Sequence, residues 1–151
     1  MEAANQALFS DPASRDRLMA IAGGHGRSGV RGGIYGITED KVRAGEIIYR
    51  VGHSNLSMMM NMSSPWWMRE DTFLYIMGAA ERAGTDPQNL YRMKCAVSHD
   101  FGVADIVLKV HVKQTLRAFT GRGRPVFDEA PGKKGQCWFG ALEIAQLFIP
   151  G

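Results

Sequence analysis

The sequence predicts an α+β fold, and three observations carry that prediction. Residues 11–22 and 69–83 place apolar side chains at helical spacing between recognisable caps. Over residues 104–112 the apolar period changes to two. Helices come before a run of strands and do not alternate with them, which points away from a doubly wound sheet. At 151 residues the chain has the length of one domain with a core of its own.

The elements follow in order. Asp11 suits an N-cap and Pro12 a first helical position; Leu18, Met19 and Ile21 form a stripe that Gly23-Gly24 ends. Residues 22–36 are glycine-rich and basic and read as a surface loop. The sharper reading is a backbone cradle for phosphates, helped by Arg27 and Arg31, although the spacing matches neither a P-loop nor a dinucleotide fingerprint. Thr38 predicts the cap of a helical turn over 39–43. Glu46–Val51 predicts a buried strand and 54–60 one or two helical turns. Pro65 predicts an edge or a bend before Trp66-Trp67-Met68. The helix over 69–83 has Glu70 and Asp71 at its positive end and Gly84 beyond its last turn. Asp86-Pro87 opens a short helix to Tyr91. Strands are predicted at Arg92–Ser98, at Ala104–Val112 with an extension through Leu116–Phe119, at Cys137–Phe139 and at Glu143–Ile149, with basic turns at 121–125 and 131–135.

Composition bounds the function. A formal charge of +3 fits a polyanion, a dinucleotide or an acidic partner. Cys95 and Cys137 stand 42 positions apart without a CxxC pair, so no metal site is expected and buried free thiols are. Met58, Met59, Met60, Met62 and Met68 read as flexible core filling and not as a soft-metal site. No run of 18 apolar residues predicts a membrane span, and the N-terminus lacks a signal-peptide pattern.

Three features in one order carry chemistry. Ile47-Ile48-Tyr49-Arg50 ends a strand on a guanidinium; Ser63-Ser64-Pro65-Trp66-Trp67 follows; Glu143 lies in the closing segment Ala141–Gly151. NAD⁺ carries a pyrophosphate that a fixed guanidinium can grip with two hydrogen bonds. Cleaving its nicotinamide–ribose bond builds positive charge on the sugar, which a carboxylate stabilises. This order resembles the ADP-ribosyltransferase toxin family of the Arg–Ser–Glu type, over roughly residues 45–151.

The resemblance implies N-terminal helices followed by a split, mostly antiparallel β-sheet core. Residues 1–44 would be a helical and glycine-rich segment of the same domain, and 45–151 the ADP-ribosyltransferase-like core. It implies NAD as substrate and no metal. Glu143, Ser63 and Ser64 would be catalytic. Arg50, Tyr49, Trp66, Trp67 and His53 would bind the dinucleotide. Arginine-modifying members often carry Glu or Gln two residues before the catalytic Glu; Ala141 stands there, so another acceptor, protein or nucleic acid, or water is implied. Gln146 is a supporting candidate. The resemblance further implies the terminal module of a larger toxin or effector, delivered by a carrier or secretion system into a target-cell cytoplasm and neutralised by an acidic immunity protein. Two other classes remain open. One is a metal-independent ribonuclease built from the dispersed His25, His53, His99 and His111, with His99-Asp100 and His111 beside Lys113 as its candidate residues. The other is a non-enzymatic nucleic-acid-binding module using the basic loops at 122–124 and 133–134.

Overall fold

The computed structural model describes residues 2–27 and 29–151. Helix α1 (Pro12–Ala22) starts where the Asp11 carboxylate accepts from the Ser14 amide at 2.9 Å. A small hairpin, β1 (His25–Gly26) and β2 (Gly29–Val30), interrupts the glycine-rich stretch. Then come β3 (Ile34–Val42), β4 (Ile47–Gly52), α2 (Met58–Ser63) and β5 (Trp66–Arg69). Helices α3 (Glu70–Ala83) and α4 (Pro87–Cys95) follow. The remainder is β6 (Ile106–His111), β7 (Leu116–Gly123), β8 (Val126–Phe127), β9 (Cys137–Trp138) and β10 (Gln146–Phe148). Among the described residues no helix is long and apolar enough to cross a membrane. Both cysteines are free; Cys95 is buried and Cys137 half-buried.

Six strands form an antiparallel sheet in the order β3-β7-β10-β5-β4-β6. The sheet divides at β5. Its first residues, Trp66 and Trp67, pair with Phe148 and Leu147 of β10, whereas Met68 and Arg69 pair with Tyr49 and Ile48 of β4. Alternation along the strands sorts side chains into three clusters. Ile48, Trp67, Ala118 and Leu147 share a central core. Their neighbours Phe119 and Phe148 pack with Ala22, Leu18 and Met19 of α1. Tyr49 and Met68 pack with Phe73, Ile76 and Met77 of α3 and Leu90 and Tyr91 of α4. Thus β5 passes between two half-sheets, each covered by its own helices, and β3 from the N-terminal segment is the outer strand of one of them.

Four expectations are corrected. Residues 39–42 lie in β3, not in a helical turn over 39–43; the ladder from Thr38↔Thr120 to Val42↔Leu116 outweighs a local cap. Arg92–Ser98 is no strand. Its alternation puts Met93 on the inner face, yet Met93 is exposed, because α4 runs on to Cys95 and ends with Ala96 left-handed at φ 55°. Pro65 precedes an interior strand, where its carbonyl accepts from the Ile149 amide at 2.8 Å. Of the methionines expected in the core only Met68 is buried; Met58, Met59, Met60 and Met62 are exposed on α2.

The loop carrying the hairpin closes on a contact between two glycines. Gly24 and Gly33 both have positive φ, 84° and 75°, and a Cβ on Gly33 would sit 2.3 Å from the Gly24 amide nitrogen. The Gly33→Ala variant is therefore expected to lose at least about 1 kcal/mol, from the left-handed backbone alone, in a urea unfolding titration.

Candidate functional site

A cavity of about 410 Å³ opens beside the division of the sheet. Arg50 comes from β4, Ser64 and Trp66 from the entry to β5, and Gln146 from the first position of β10. Tyr91 and Cys95 of α4 form part of the wall, and His25, Arg31 and Gly33 bring the glycine-rich loop over it. The 121–123 strand end lies behind Gln146, because Gly121 pairs with that residue.

Arg50 is the centre of the site. It is 8% exposed, its Nη1 donates to the Trp66 carbonyl at 3.1 Å, and its Nε is buried with no hydrogen-bond partner. Among the described residues it makes no ion pair with a carboxylate. Burial pushes its pKa down from the ordinary value, with only the Tyr91 hydroxyl opposing. A guanidinium remains charged under such conditions, so an uncompensated buried cation faces the cavity. Tyr91 stays a neutral hydroxyl, because burial raises its pKa well above the usual range. Burial likewise pushes the Cys95 thiol up to about 12, so it is protonated and a poor nucleophile at neutral pH.

His53 is held in one tautomer. Its Nδ1 accepts from the Ala104 amide at 2.9 Å, so the ring proton sits on Nε2. Burial lowers its pKa, and the charges of Arg50 and Arg92 lower it further against Asp105. It is therefore a neutral donor and has no free ring lone pair with which to act as a base. Asn61 fixes the loop beneath it, accepting from the His53 amide at 2.8 Å and donating to the His53 carbonyl at 2.9 Å. Gly52 and Gly102 leave room: a Cβ would lie 2.7 Å from Asn61 Oδ1 at the first and 2.4 Å from the His53 ring at the second.

At the mouth Arg31 is paired with Asp100, with its guanidinium 5.5 Å from the Phe101 ring centroid. Asp100 also accepts from the Glu129 amide at 2.8 Å. Beside it Asp128, fully buried, accepts from the His99 amide, from His99 Nδ1 at 2.8 Å and from Trp138 Nε1 at 2.7 Å.

The structure gathers some of the expected residues and separates others. Arg50, His53, Ser64 and Trp66 line the cavity. Tyr49 is packed in the helix-covered core, stacked on Phe73 at 4.1 Å, and Trp67 is in the central core; strand alternation turns both away from Arg50 and Trp66. Ser63 ends α2, exposed, with its hydroxyl on the Met60 carbonyl at 2.9 Å. Glu143 is the main displacement. Only residues 146–148 of the predicted closing strand are paired, and Glu143 lies in the turn before them. Its side chain is half exposed and bound to Lys94 Nζ at 2.7 Å, a contact that holds its pKa below the usual range.

Gln146 occupies the cavity wall in its place, its Nε2 donating to the Cys95 carbonyl at 2.7 Å. The Glu143→Ala variant is expected to bind nucleotides with wild-type affinity in a calorimetric titration, since it removes only an exposed ion pair with Lys94 and a hydrogen bond from Tyr75, both outside the cavity. Of the residues weighed for ribonuclease chemistry, His25 and His53 line the cavity while His99 and His111 do not. Among the described residues, no group of three His, Cys, Asp or Glu side chains could hold a metal ion.

No family model matches the chain, and no curated protein matches it. Among solved structures, Rhs1-CT in complex with its cognate immunity protein RhsI1 is similar at 18% identity and a TM-score of 0.42, over 74% of this chain and 68% of that one.

Proposed function

We propose that the cavity binds the pyrophosphate of NAD⁺ on Arg50 and that the protein cleaves the nicotinamide–ribose bond, passing ADP-ribose to a macromolecule or to water. The observation that carries this reading is the buried Arg50 guanidinium with its Nε unpartnered and no carboxylate beside it. A pyrophosphate supplies the missing anion to the guanidinium that lines the cavity. Ser64, Gln146, Trp66, His53 and Tyr91 line the same cavity, which supports the reading: in it Ser64 and Gln146 hold the ribose hydroxyls, Trp66 stacks on a base, and His53 Nε2 and the Tyr91 hydroxyl donate further hydrogen bonds. Gln146 orients the sugar but brings no negative charge, so turnover is expected to be slow.

The proposal includes delivery into a target cell as a toxin, with an immunity protein in the producer; the exposed Arg122, Lys133 and Lys134 suit an acidic one. RNA cleavage is less well supported, because the Ala104 amide occupies the nitrogen that His53 would need as a base.

The test is incubation with labelled NAD⁺, alone and with whole-cell lysate, following nicotinamide release and the destination of the label. Wild type and Glu143→Ala are expected to turn over NAD⁺ equally, and Arg50→Met and Gln146→Ala to fall at least about tenfold, the weight of one lost charge-assisted or orienting hydrogen bond. No release by wild type with any acceptor, or full activity in Arg50→Met, would remove the reading.

A further inference from the structure

The titratable side chains lining the cavity are His25, Arg31, Arg50, His53, Tyr91 and Cys95; no Asp or Glu is among the lining residues. The carboxylates bonded to the rim are already committed, Asp100 to Arg31, Asp105 to the Ser54 amide and hydroxyl, and Asp128 to His99 and Trp138. On β10, where a carboxylate could reach a bound sugar, the chain has the neutral Gln146. The bond from its Nε2 to the Cys95 carbonyl leaves the amide oxygen as the atom that meets a ligand. That oxygen can accept from a hydroxyl but contributes no charge.

This pattern distinguishes two ligands that share a pyrophosphate. NAD⁺ carries a cationic pyridinium on its ribose, whereas ADP-ribose ends in an uncharged sugar. A cationic wall attracts the phosphates of both and repels the pyridinium of one. Building on the proposed function, we infer that the cavity prefers nucleoside diphosphates without a cationic ring, of the ADP-ribose type, over NAD⁺, and that Gln146 is the residue that sets the preference. Where water is the acceptor, the free ADP-ribose released then outcompetes the substrate and inhibits the enzyme as it accumulates.

The experiment is a calorimetric titration of the full chain with ADP-ribose and with NAD⁺, repeated on Gln146→Glu. The ratio of the two affinities is the readout, since both are measured on the same folded protein. Wild type is expected to bind ADP-ribose at least about tenfold more tightly than NAD⁺, and Gln146→Glu to lower that ratio at least about tenfold, the effect of about 1.4 kcal/mol from one added carboxylate. Ser64→Asp, which brings a carboxylate to the same cavity from β5, serves if Gln146→Glu does not fold and is expected to lower the ratio likewise. Equal or tighter binding of NAD⁺ to wild type, or a ratio that moves in neither variant, overturns the inference and leaves the proposed function standing. Failure of wild type to bind either ligand overturns both.

Discussion

Arg50→Met is expected to melt no lower than the wild type while losing its nucleotide. Removing the guanidinium removes a desolvated charge and an unpartnered Nε, and a buried unsatisfied polar group costs about 1–3 kcal/mol. Against this stands one bond to the Trp66 carbonyl, at 3.1 Å. Methionine keeps most of the apolar stem volume, so the cavity wall should not collapse. Binding of ADP-ribose should fall at least about tenfold, because a charge-assisted hydrogen bond contributes about 1.5–3 kcal/mol. A site kept at some cost to the unliganded fold is the signature of function. Thermal melts with and without ADP-ribose measure both effects: the wild type should gain stability from the ligand and the variant should gain almost none.

Asp128→Ala carries the largest expected loss of stability. The carboxylate is fully buried and accepts from the His99 amide, His99 Nδ1 and Trp138 Nε1, and its own amide donates to Gln136 at 2.8 Å. Those side-chain bonds fasten β8 and β9 to the 98–101 segment, which carries Asp100 and Phe101 at the cavity mouth. Breaking such a buried charged network costs about 3–5 kcal/mol, read from urea unfolding. Ligand affinity should fall with it as the rim loosens.

The pH dependence has a definite sign. Burial alone would raise the Asp128 pKa, but the hydrogen bonds from His99 and Trp138 outweigh it and hold the carboxyl below its ordinary 3.8. A depressed carboxyl stabilises the fold above its unfolded pKa and ceases to do so as pH falls through the folded one. The wild type should therefore lose stability below about pH 4 more steeply than Asp128→Ala does.

The parts of this architecture that were legible in the sequence are those set locally. Asp11 and Pro12, the apolar stripe of α3 with Gly84 behind it, and the alternation of β6 each specify their element without help from distant chain. The β3 strand was not legible, because what makes 40–42 extended is its ladder with Leu116–Ala118, some 75 residues away. The site followed the same division. Arg50 stands out as the one charged residue in an apolar strand run, and Ser64 by its place before Pro65 and β5. Glu143 stands out as the only acid in the closing segment. Which residue of that segment faces the cavity depends on where β10 starts, and pairing with Gly121 starts it at Gln146. Asn61 carried a weak signal, an amide amid methionines, but its bonds to His53 are tertiary and became visible only with the fold.

A crystal structure of the protein with ADP-ribose is the most direct measurement of the central claim, that the buried Arg50 guanidinium is a pyrophosphate anchor. The account predicts a pyrophosphate oxygen within about 2.7–3.2 Å of an Arg50 guanidinium nitrogen, with the distal ribose against Ser64 and Gln146. A ligand seated elsewhere, with no phosphate oxygen on the Arg50 guanidinium, would contradict it.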